Sequence, residues 1–143
     1  MRALGPVAVS VSALCWGAIA SAQGASLVLP SGVEAELHDT VWDEDLSAIR
    51  MRYVVPQLLE PDSLYHGDAL RVFEDMQWLC ETQVPALFPD EADAQEEGWN
   101  VAVISLMSRP IEFGTRDADT LQLFEWFALT MDGCELELDE YHE

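Results

Sequence analysis

Apolar and polar residues alternate along two stretches of the chain, Val33–Trp42 and Ala48–Val55. A period of two predicts half-buried β-strands, each with one face toward a core. If the two strands pair, their apolar faces must coincide, so two arginines and two glutamates share the solvent face. Ion pairs across the strands are expected there. The four residues are Arg50, Arg52, Glu34 and Glu36.

A helical pattern follows between Asp68 and Val84. Apolar residues recur there at intervals of three and four, which predicts an amphipathic helix. Asp68 is placed to cap the first turn, and Pro85 to end the helix. The apolar stripe consists of Ala69, Val72, Phe73, Met76, Leu79 and Cys80, and the outward face of Glu74, Asp75, Gln77 and Glu81.

The second half of the chain predicts further strands. Trp99–Met107 is apolar on both faces, which is typical of a buried central strand, and Ile111–Phe113 is expected to form an edge segment. The aromatic residues of Leu121–Thr130, followed by a turn at Asp132-Gly133, favour a hairpin whose second strand starts near Cys134. A helix over Thr120–Leu129 is the alternative.

These elements predict an α+β fold, with a small antiparallel sheet and one main helix packed on one face. Residues 23–138 are expected to form this single domain, and residues 139–143 an acidic C-terminal tail. The aromatic residues are mostly in phase with the core, Phe124 among them. Trp42 and Trp78 are out of phase, which indicates either an exposed binding patch or packing at an edge.

The first 22 residues have the pattern of a cleavable signal peptide. Arg2 precedes an uncharged run, and Ala20-Ser21-Ala22 supplies the small residues of a cleavage site. An uncleaved membrane anchor is the alternative, which Gly5 and Pro6 within the run disfavour. The pattern predicts a periplasmic or secreted protein that has no membrane attachment after cleavage.

The charge of the mature chain is strongly negative. It has five arginines, no lysine and 27 acidic residues, a formal charge of −22 without Arg2. This balance argues against nucleic acid and anionic membrane surfaces as partners, since cationic side chains bind both. The acidic residues are expected to form a solvated surface; an attraction for cations or for a basic partner is the alternative.

Two cysteines, Cys80 and Cys134, remain after removal of the signal peptide. An even pair in an exported chain predicts a disulfide, with two inert buried thiols as the alternative. Their separation excludes a C-x-x-C redox motif, and a structural zinc site would need more ligands.

Several short motifs together resemble a family of small, secreted, functionally uncharacterised proteins of Gram-negative bacteria. The motifs are Leu29–Glu34, Trp78–Glu81, Ile104–Leu106 with Arg109–Gly114, and Phe124–Phe127 before Asp132-Gly133-Cys134. The resemblance implies a single exported domain with paired cysteines, and it implies no activity and no functional residues.

No residue pattern matches a catalytic, cofactor or metal motif. His38, His66 and His142 fit no metal or triad spacing, and Ser105 is expected to be a core hydroxyl. The acidic segments Asp90–Glu97 and Asp117–Asp119 could supply oxygen ligands to calcium, but neither matches the EF-hand pattern. We therefore expect no catalytic, cofactor-binding or metal-binding residues, and solvated acidic loops.

These observations predict a non-catalytic binding or accessory module whose partner is another envelope protein. A cation-binding protein that works through carboxylates is the first alternative. The second is a small hydrolase, whose signature would be a pocket gathering His38 or His66 with an acid and a nucleophile.

Overall fold

The computed structural model describes residues 25–89 and 92–137. The signal peptide predicted at 1–22 and the acidic tail predicted at 139–143 lie outside the described residues. Within them the chain forms six strands and one α-helix, together with short 3-10 helices. The elements are β1 (Ser26–Val28), β2 (Glu34–Asp43), β3 (Ala48–Val54), α1 (Ala69–Gln83), β4 (Val101–Met107), β5 (Gln122–Thr130) and β6 (Gly133–Leu136), with 3-10 turns at Glu44–Leu46, Pro56–Leu59, Leu64–His66 and Pro85–Leu87.

The strands form one mixed sheet in the order β1-β2-β3-β4-β5-β6. Strands β3 and β4 are parallel, and the other neighbours are antiparallel. The α+β class is confirmed, but the prediction of a small antiparallel sheet is wrong. The chain passes through α1 between β3 and β4, and a crossover of that kind returns the next strand in the same direction.

Helix α1 agrees with its prediction to within one residue at each end. The carboxylate of Asp68 accepts a hydrogen bond from the backbone N–H of Arg71 at 3.1 Å, and so caps the first turn. The helix ends at Gln83, shortly before Pro85. No helix in the described part of the chain is long and apolar enough to cross a membrane.

The main core lies between α1 and one face of the sheet. Met76 and Leu79 of α1 are fully buried there against Tyr53, Ile104 and Phe127. Trp78 is half-buried and packs against this core, so it is an edge-packing residue. A second, smaller cluster occupies the opposite face of the sheet, where Trp126 packs against Ala48, Val101 and Val103.

The hairpin predicted over Leu121–Thr130 is confirmed, and the helical alternative is wrong. Strand β5 turns at Met131 and Asp132 into β6, and Gly133 takes a φ of 136°, which favours glycine. Residues 111–113 form no strand, in contrast to the expected edge segment. They belong to the loop that joins β4 to β5.

A β-bulge at His38 changes the side-chain phase of β2. Leu37 lies opposite Tyr53, but Asp39 lies opposite Arg52, so one residue is left over in the pairing with β3. Beyond the bulge Trp42 therefore shares the core face. It packs against Trp99 and Phe88, with ring centroids 5.2 and 6.0 Å away.

Because of the bulge, the ion pairs between β2 and β3 differ from those that the sequence predicts. Arg52 contacts Asp39 at 2.8 Å and Arg50 contacts Asp43 at 3.1 Å, whereas Glu34 and Glu36 pair with neither arginine. The arginines lie on the sheet face away from α1, which we call the arginine face.

Asp75 is a buried acid, in contrast to its expected place on the outer face of α1. It is 1 % exposed. Its carboxylate accepts hydrogen bonds from the backbone N–H of Ser31 at 3.0 Å, the Ser31 hydroxyl at 2.5 Å and the Tyr65 hydroxyl at 2.6 Å. A buried carboxylate needs such donors, because burial removes it from water.

Candidate functional site

The loop between β4 and β5 covers part of the arginine face. Its two ends are tied together, since the N–H of Ser108 donates to the carbonyl of Leu121 and the N–H of Leu121 donates to the Ser108 hydroxyl, both at 2.9 Å. Arg52 holds its middle by donating from Nη2 to the carbonyl of Ile111 at 2.6 Å. The loop is thereby closed on itself and anchored to β3.

Arg52 is a structural anchor of the arginine face. The side chain is only 4 % exposed, and its Nη1 donates to both carboxylate oxygens of Asp39, at 2.9 and 2.8 Å. The guanidinium also lies 5.6 Å from the ring centroid of Phe113. A planar, permanently charged group with several donors can hold a carboxylate, a carbonyl and a ring at once, which a lysine cannot.

Arg50 lies between two aromatic rings. Its guanidinium carbon is 5.2 Å from the centroid of Phe113 and 5.3 Å from that of Trp126. Distances below about 6 Å place the cation within reach of both ring faces. The ion pair with Asp43 orients the guanidinium, because both Nε and Nη2 lie 3.1 Å from the same carboxylate oxygen.

These contacts build an open groove of about 350 Å³ on the arginine face. We call it the arginine–aromatic groove; Arg50, Ser105, Phe113, Arg116, Gln122 and Phe124 are among the residues that line it. Phe113 is 50 % exposed and Phe124 is 59 % exposed. Two half-exposed aromatic rings beside a charged groove are typical of a binding surface.

The groove offers polar groups that have no partner in the described part of the chain. Arg116 forms no ion pair there, and the Ser105 hydroxyl and the Gln122 amide form no hydrogen bond. A guanidinium, a hydroxyl and an amide between aromatic walls can bind a planar acidic group, such as a carboxylate next to an apolar or aromatic side chain.

Ser105 is not the core hydroxyl that its sequence predicts. It lies on the arginine face opposite Phe124 and is half-buried. The lining of the groove includes no histidine, cysteine or acidic residue that could act on it as a base. The described residues that line the groove therefore supply charged, polar and aromatic groups for binding.

A second groove, of about 450 Å³, lies between the start of α1 and β5. We call it the helix-side groove; its lining includes His66, Asp68, Val72, Phe73, Leu123 and Glu125. It brings one histidine together with two acids, and none of the described residues that line it is a serine, threonine or cysteine. His38 lies at the bulge of β2 and lines neither groove.

The acidic segments are held by local contacts. Asp117 accepts hydrogen bonds from the backbone N–H of Asp119 at 3.0 Å and from the Thr120 hydroxyl at 2.8 Å. These bonds, with the positive charge of Arg109, lower the pKa of Asp117. Asp90, Glu91 and His142 lie outside the described residues. Within ranges 25–89 and 92–137, no three His, Cys, Asp or Glu side chains form a group that could hold a metal ion.

Cys80 and Cys134 form a disulfide, the pairing that the sequence predicts, and it joins α1 to β6. Their Cα atoms are 6.3 Å apart, within the range of ordinary disulfides. Gln77 of α1 supports the same junction by donating its amide N–H to the carbonyl of Cys134 at 3.0 Å. The bond lies on the α1 side of the sheet, away from the arginine–aromatic groove.

The arginine–aromatic groove is not predicted from the sequence. Phe113, Arg116 and Phe124 were not expected to act together, because a loop brings two of them to the third. One signal could have found part of it: Phe124 and Trp126 alternate with Leu123 and Phe127, so β5 has large apolar residues on both faces. A second apolar face indicates that something covers it.

A family model described as a family of unknown function, DUF6497, matches residues 12–138. No curated protein and no solved structure matches the chain.

Proposed function

The chain belongs to DUF6497, a family of unknown function, and from this premise we propose that it is an exported, non-catalytic module that binds another envelope protein through the arginine–aromatic groove. The observation that carries the proposal is the pair of half-exposed rings, Phe113 and Phe124, beside Arg50 and Arg116. Exposed aromatic and arginine side chains contribute most of the binding energy in many protein interfaces.

Export is supported by two independent features. The first 22 residues have the charge, apolar run and small-residue site of a signal peptide. The disulfide between Cys80 and Cys134 fits an oxidising compartment such as the periplasm or the outside of the cell. We propose that the mature protein is periplasmic or secreted and begins at Gln23.

The intact mass of the exported protein tests this part of the proposal. We expect the mass of a chain that starts at Gln23 and carries one disulfide. A full-length chain that starts at Met1 and remains in the membrane fraction would contradict export and cleavage together.

Capture of envelope proteins with matched variants tests the binding surface. Arg116→Glu and Phe124→Ala change the groove, whereas Arg71→Glu and Leu70→Ala reverse a charge and truncate an apolar side chain on the exposed surface of α1. We expect the two groove variants to lose at least about tenfold in affinity for a captured protein, and the two α1 variants to retain it. Equal binding by all four variants would exclude the groove as the binding surface.

A further inference from the structure

The floor of the arginine–aromatic groove has a small side chain at its centre. Ser105 of β4 lies in register with Arg52 of β3 on one side and with Phe124 of β5 on the other. Residues in register across a sheet have their side chains on the same face, so a serine stands between two long side chains. The half-buried Ser105 hydroxyl therefore lies in a depression, with a cation on one side and an aromatic ring on the other.

The loop between β4 and β5 forms a second wall of the groove. A turn closes within it, where the N–H of Thr115 donates to the carbonyl of Glu112 at 3.1 Å, and Gly114 takes a φ of 89°. This left-handed conformation favours glycine. Because the chain turns at Gly114, the residue before it and the second residue after it, Phe113 and Arg116, both line the groove.

The groove concentrates positive charge in an acidic chain. Residues 23–143 contain five arginines, and three of them line the groove, whereas none of the described residues that line it is acidic. Two of the three are paired with aspartates, and Arg116 has no ion pair in the described part of the chain. A ligand with a single negative charge complements this arrangement. A run of acidic residues would instead be repelled by the 27 acidic side chains of the protein.

We propose that the groove binds the C-terminal residue of the partner chain, and that this residue has a large apolar or aromatic side chain. The assignment rests on the proposed function, which it deepens by naming the part of the partner that binds. A C-terminal residue carries a carboxylate next to its own side chain, so one residue matches both the guanidinium and the rings. The volume of about 350 Å³ is at the lower end for ligand sites, which suits a chain end.

In this arrangement the carboxylate contacts two donors. Arg116 supplies a planar guanidinium that can bind both carboxylate oxygens, and the Ser105 hydroxyl, which forms no hydrogen bond in the described residues, donates to one of them. The apolar side chain packs on Phe113 and Phe124, whose rings are half-exposed without a ligand. The amide of Gln122 is left to accept the backbone N–H of the same terminal residue.

An internal aspartate or glutamate matches fewer of these groups. Its carboxylate occupies the whole side chain, so the apolar group has to come from another residue. Neighbouring residues of an extended segment point to opposite sides, and an acid and the apolar residue next to it therefore cannot both enter the groove. A chain end avoids this conflict, because its carboxylate belongs to the backbone.

Titration with matched peptides tests the assignment on the disulfide-bonded protein without its predicted signal peptide. The first probe is acetyl-Gly-Ser-Ala-Phe with a free C-terminal carboxylate, and the second is the same peptide with a C-terminal amide. The third, acetyl-Gly-Ser-Glu-Phe-amide, has its only carboxylate on an internal side chain. By isothermal calorimetry we expect saturable binding of the first and at least about tenfold weaker binding of the other two, the effect of one hydrogen bond to a charged group. An affinity for the first that does not exceed both others would overturn the assignment.

A free aromatic acid separates a chain end from a small molecule. 3-Phenylpropionate has the ring and the carboxylate of the first peptide but lacks its backbone amide, so we expect it to bind more weakly than the peptide. Binding as tight as that of the peptide would contradict a chain end as the occupant and would assign the groove to small carboxylic acids.

Two variants locate the binding on the protein. Arg116→Gln removes a charge from the groove, and Arg71→Gln removes one from the exposed surface of α1. Both positions are exposed, so neither change should prevent folding. We expect Arg116→Gln to lose the preference for the free carboxylate over the amide, and Arg71→Gln to retain it. An equal preference in both variants would show that the peptide binds elsewhere.

The peptide titrations and the capture of envelope proteins fail separately. If groove variants lose a captured protein while the free-carboxylate peptide does not bind, the proposed binding surface stands and the C-terminal assignment is wrong. If the peptide binds through Arg116 while the groove variants still bind the captured protein, the carboxylate site stands and the proposed function of the groove is wrong.

Discussion

Tyr65 donates its hydroxyl hydrogen to Asp75 at 2.6 Å, and this contact ties the segment before α1 to the buried side of the helix. Ser31, in the turn between β1 and β2, supplies two more donors to the same carboxylate. Three segments that are distant in sequence therefore meet at one buried negative charge. Since no arginine or histidine among the described residues bonds to it, the stability of this buried carboxylate depends on those three hydrogen bonds.

Tyr65→Phe should destabilise the protein more than Tyr53→Phe. The first variant removes one of three donors from a buried carboxylate, which costs about 1–3 kcal/mol. The second removes only a 3.9 Å contact with the sulfur of Met51, so we expect a loss below about 1 kcal/mol. Urea unfolding of both variants measures the difference. Equal losses would show that the hydrogen bond from Tyr65 to Asp75 contributes no more stability than the contact of the Tyr53 hydroxyl.

Stability should decrease above pH 10. Burial raises the pKa of both Tyr53 and Tyr65 above the ordinary value of 10.0, and Asp75 raises that of Tyr65 further. A phenol whose pKa is higher in the folded state keeps its proton longer there, so its stabilisation is complete below pH 10 and decreases as the pH rises toward the folded pKa.

The absence of lysine from the chain makes this alkaline titration simple to measure. Urea midpoints between pH 8 and pH 11 should fall in the wild type and fall less in the Tyr53→Phe, Tyr65→Phe double variant. If the double variant loses stability as steeply as the wild type, groups other than these two tyrosines cause the alkaline loss of stability.

Removal of the disulfide should cost several kcal/mol. It closes a loop of 54 residues, for which the chain-entropy model gives about 4 kcal/mol at most. Alanine is the matched replacement for both cysteines, because Cys80 and Cys134 are buried and a serine would place a hydroxyl in the core. Urea unfolding of the double alanine variant measures the loss, and a change below about 1 kcal/mol would show that the bond is not a major source of stability.

Thermal stability should increase with sodium chloride at neutral pH. Without the predicted signal peptide the chain carries a formal charge of −22, and folding brings these charges closer together than they are in the unfolded chain. Salt shortens the screening length to about 8 Å at physiological strength and about 3 Å at 1 M, which relieves the folded state more. A melting temperature that stays flat or falls would contradict this self-repulsion.

Calcium chloride at the same ionic strength separates screening from specific binding. If the acidic segments are only solvated, the calcium and sodium series should superimpose. A saturable additional shift would instead indicate a cation site and favour the cation-binding alternative.

The local elements of this fold follow from the sequence, whereas its strand directions do not. Asp68, Pro85 and the spacing of Met76, Leu79 and Cys80 are enough to place α1. The parallel pairing of β3 with β4 could not be predicted, because a hydrophobic pattern reads the same for a strand of either direction. The strand Gln122–Thr130 followed from its aromatic residues and the turn after it.

The groove could not be predicted because tertiary contacts assemble it. Phe113 and Arg116 come from an irregular loop whose position depends on Arg52 and Ile111, residues 59 positions apart in sequence. The Asp75 site has the same origin. The position of Asp75 in the helical pattern predicts an exposed side chain. The side chain is buried because Ser31 and Tyr65 lie against it.

The bulge at His38 acts like a change of reading frame in three dimensions. Upstream of it the odd-numbered residues of β2 face the core, and downstream the even-numbered ones do, so the residue count of this strand sets which groups meet Arg50 and Arg52. Deleting His38 would remove the bulge and leave Asp39, Asp43 and Trp42 on their present faces, whereas deleting a residue after the bulge would exchange the faces of the residues that follow it. Along the downstream half of this strand, relatives of the protein should therefore tolerate changes of residue type far better than changes of length.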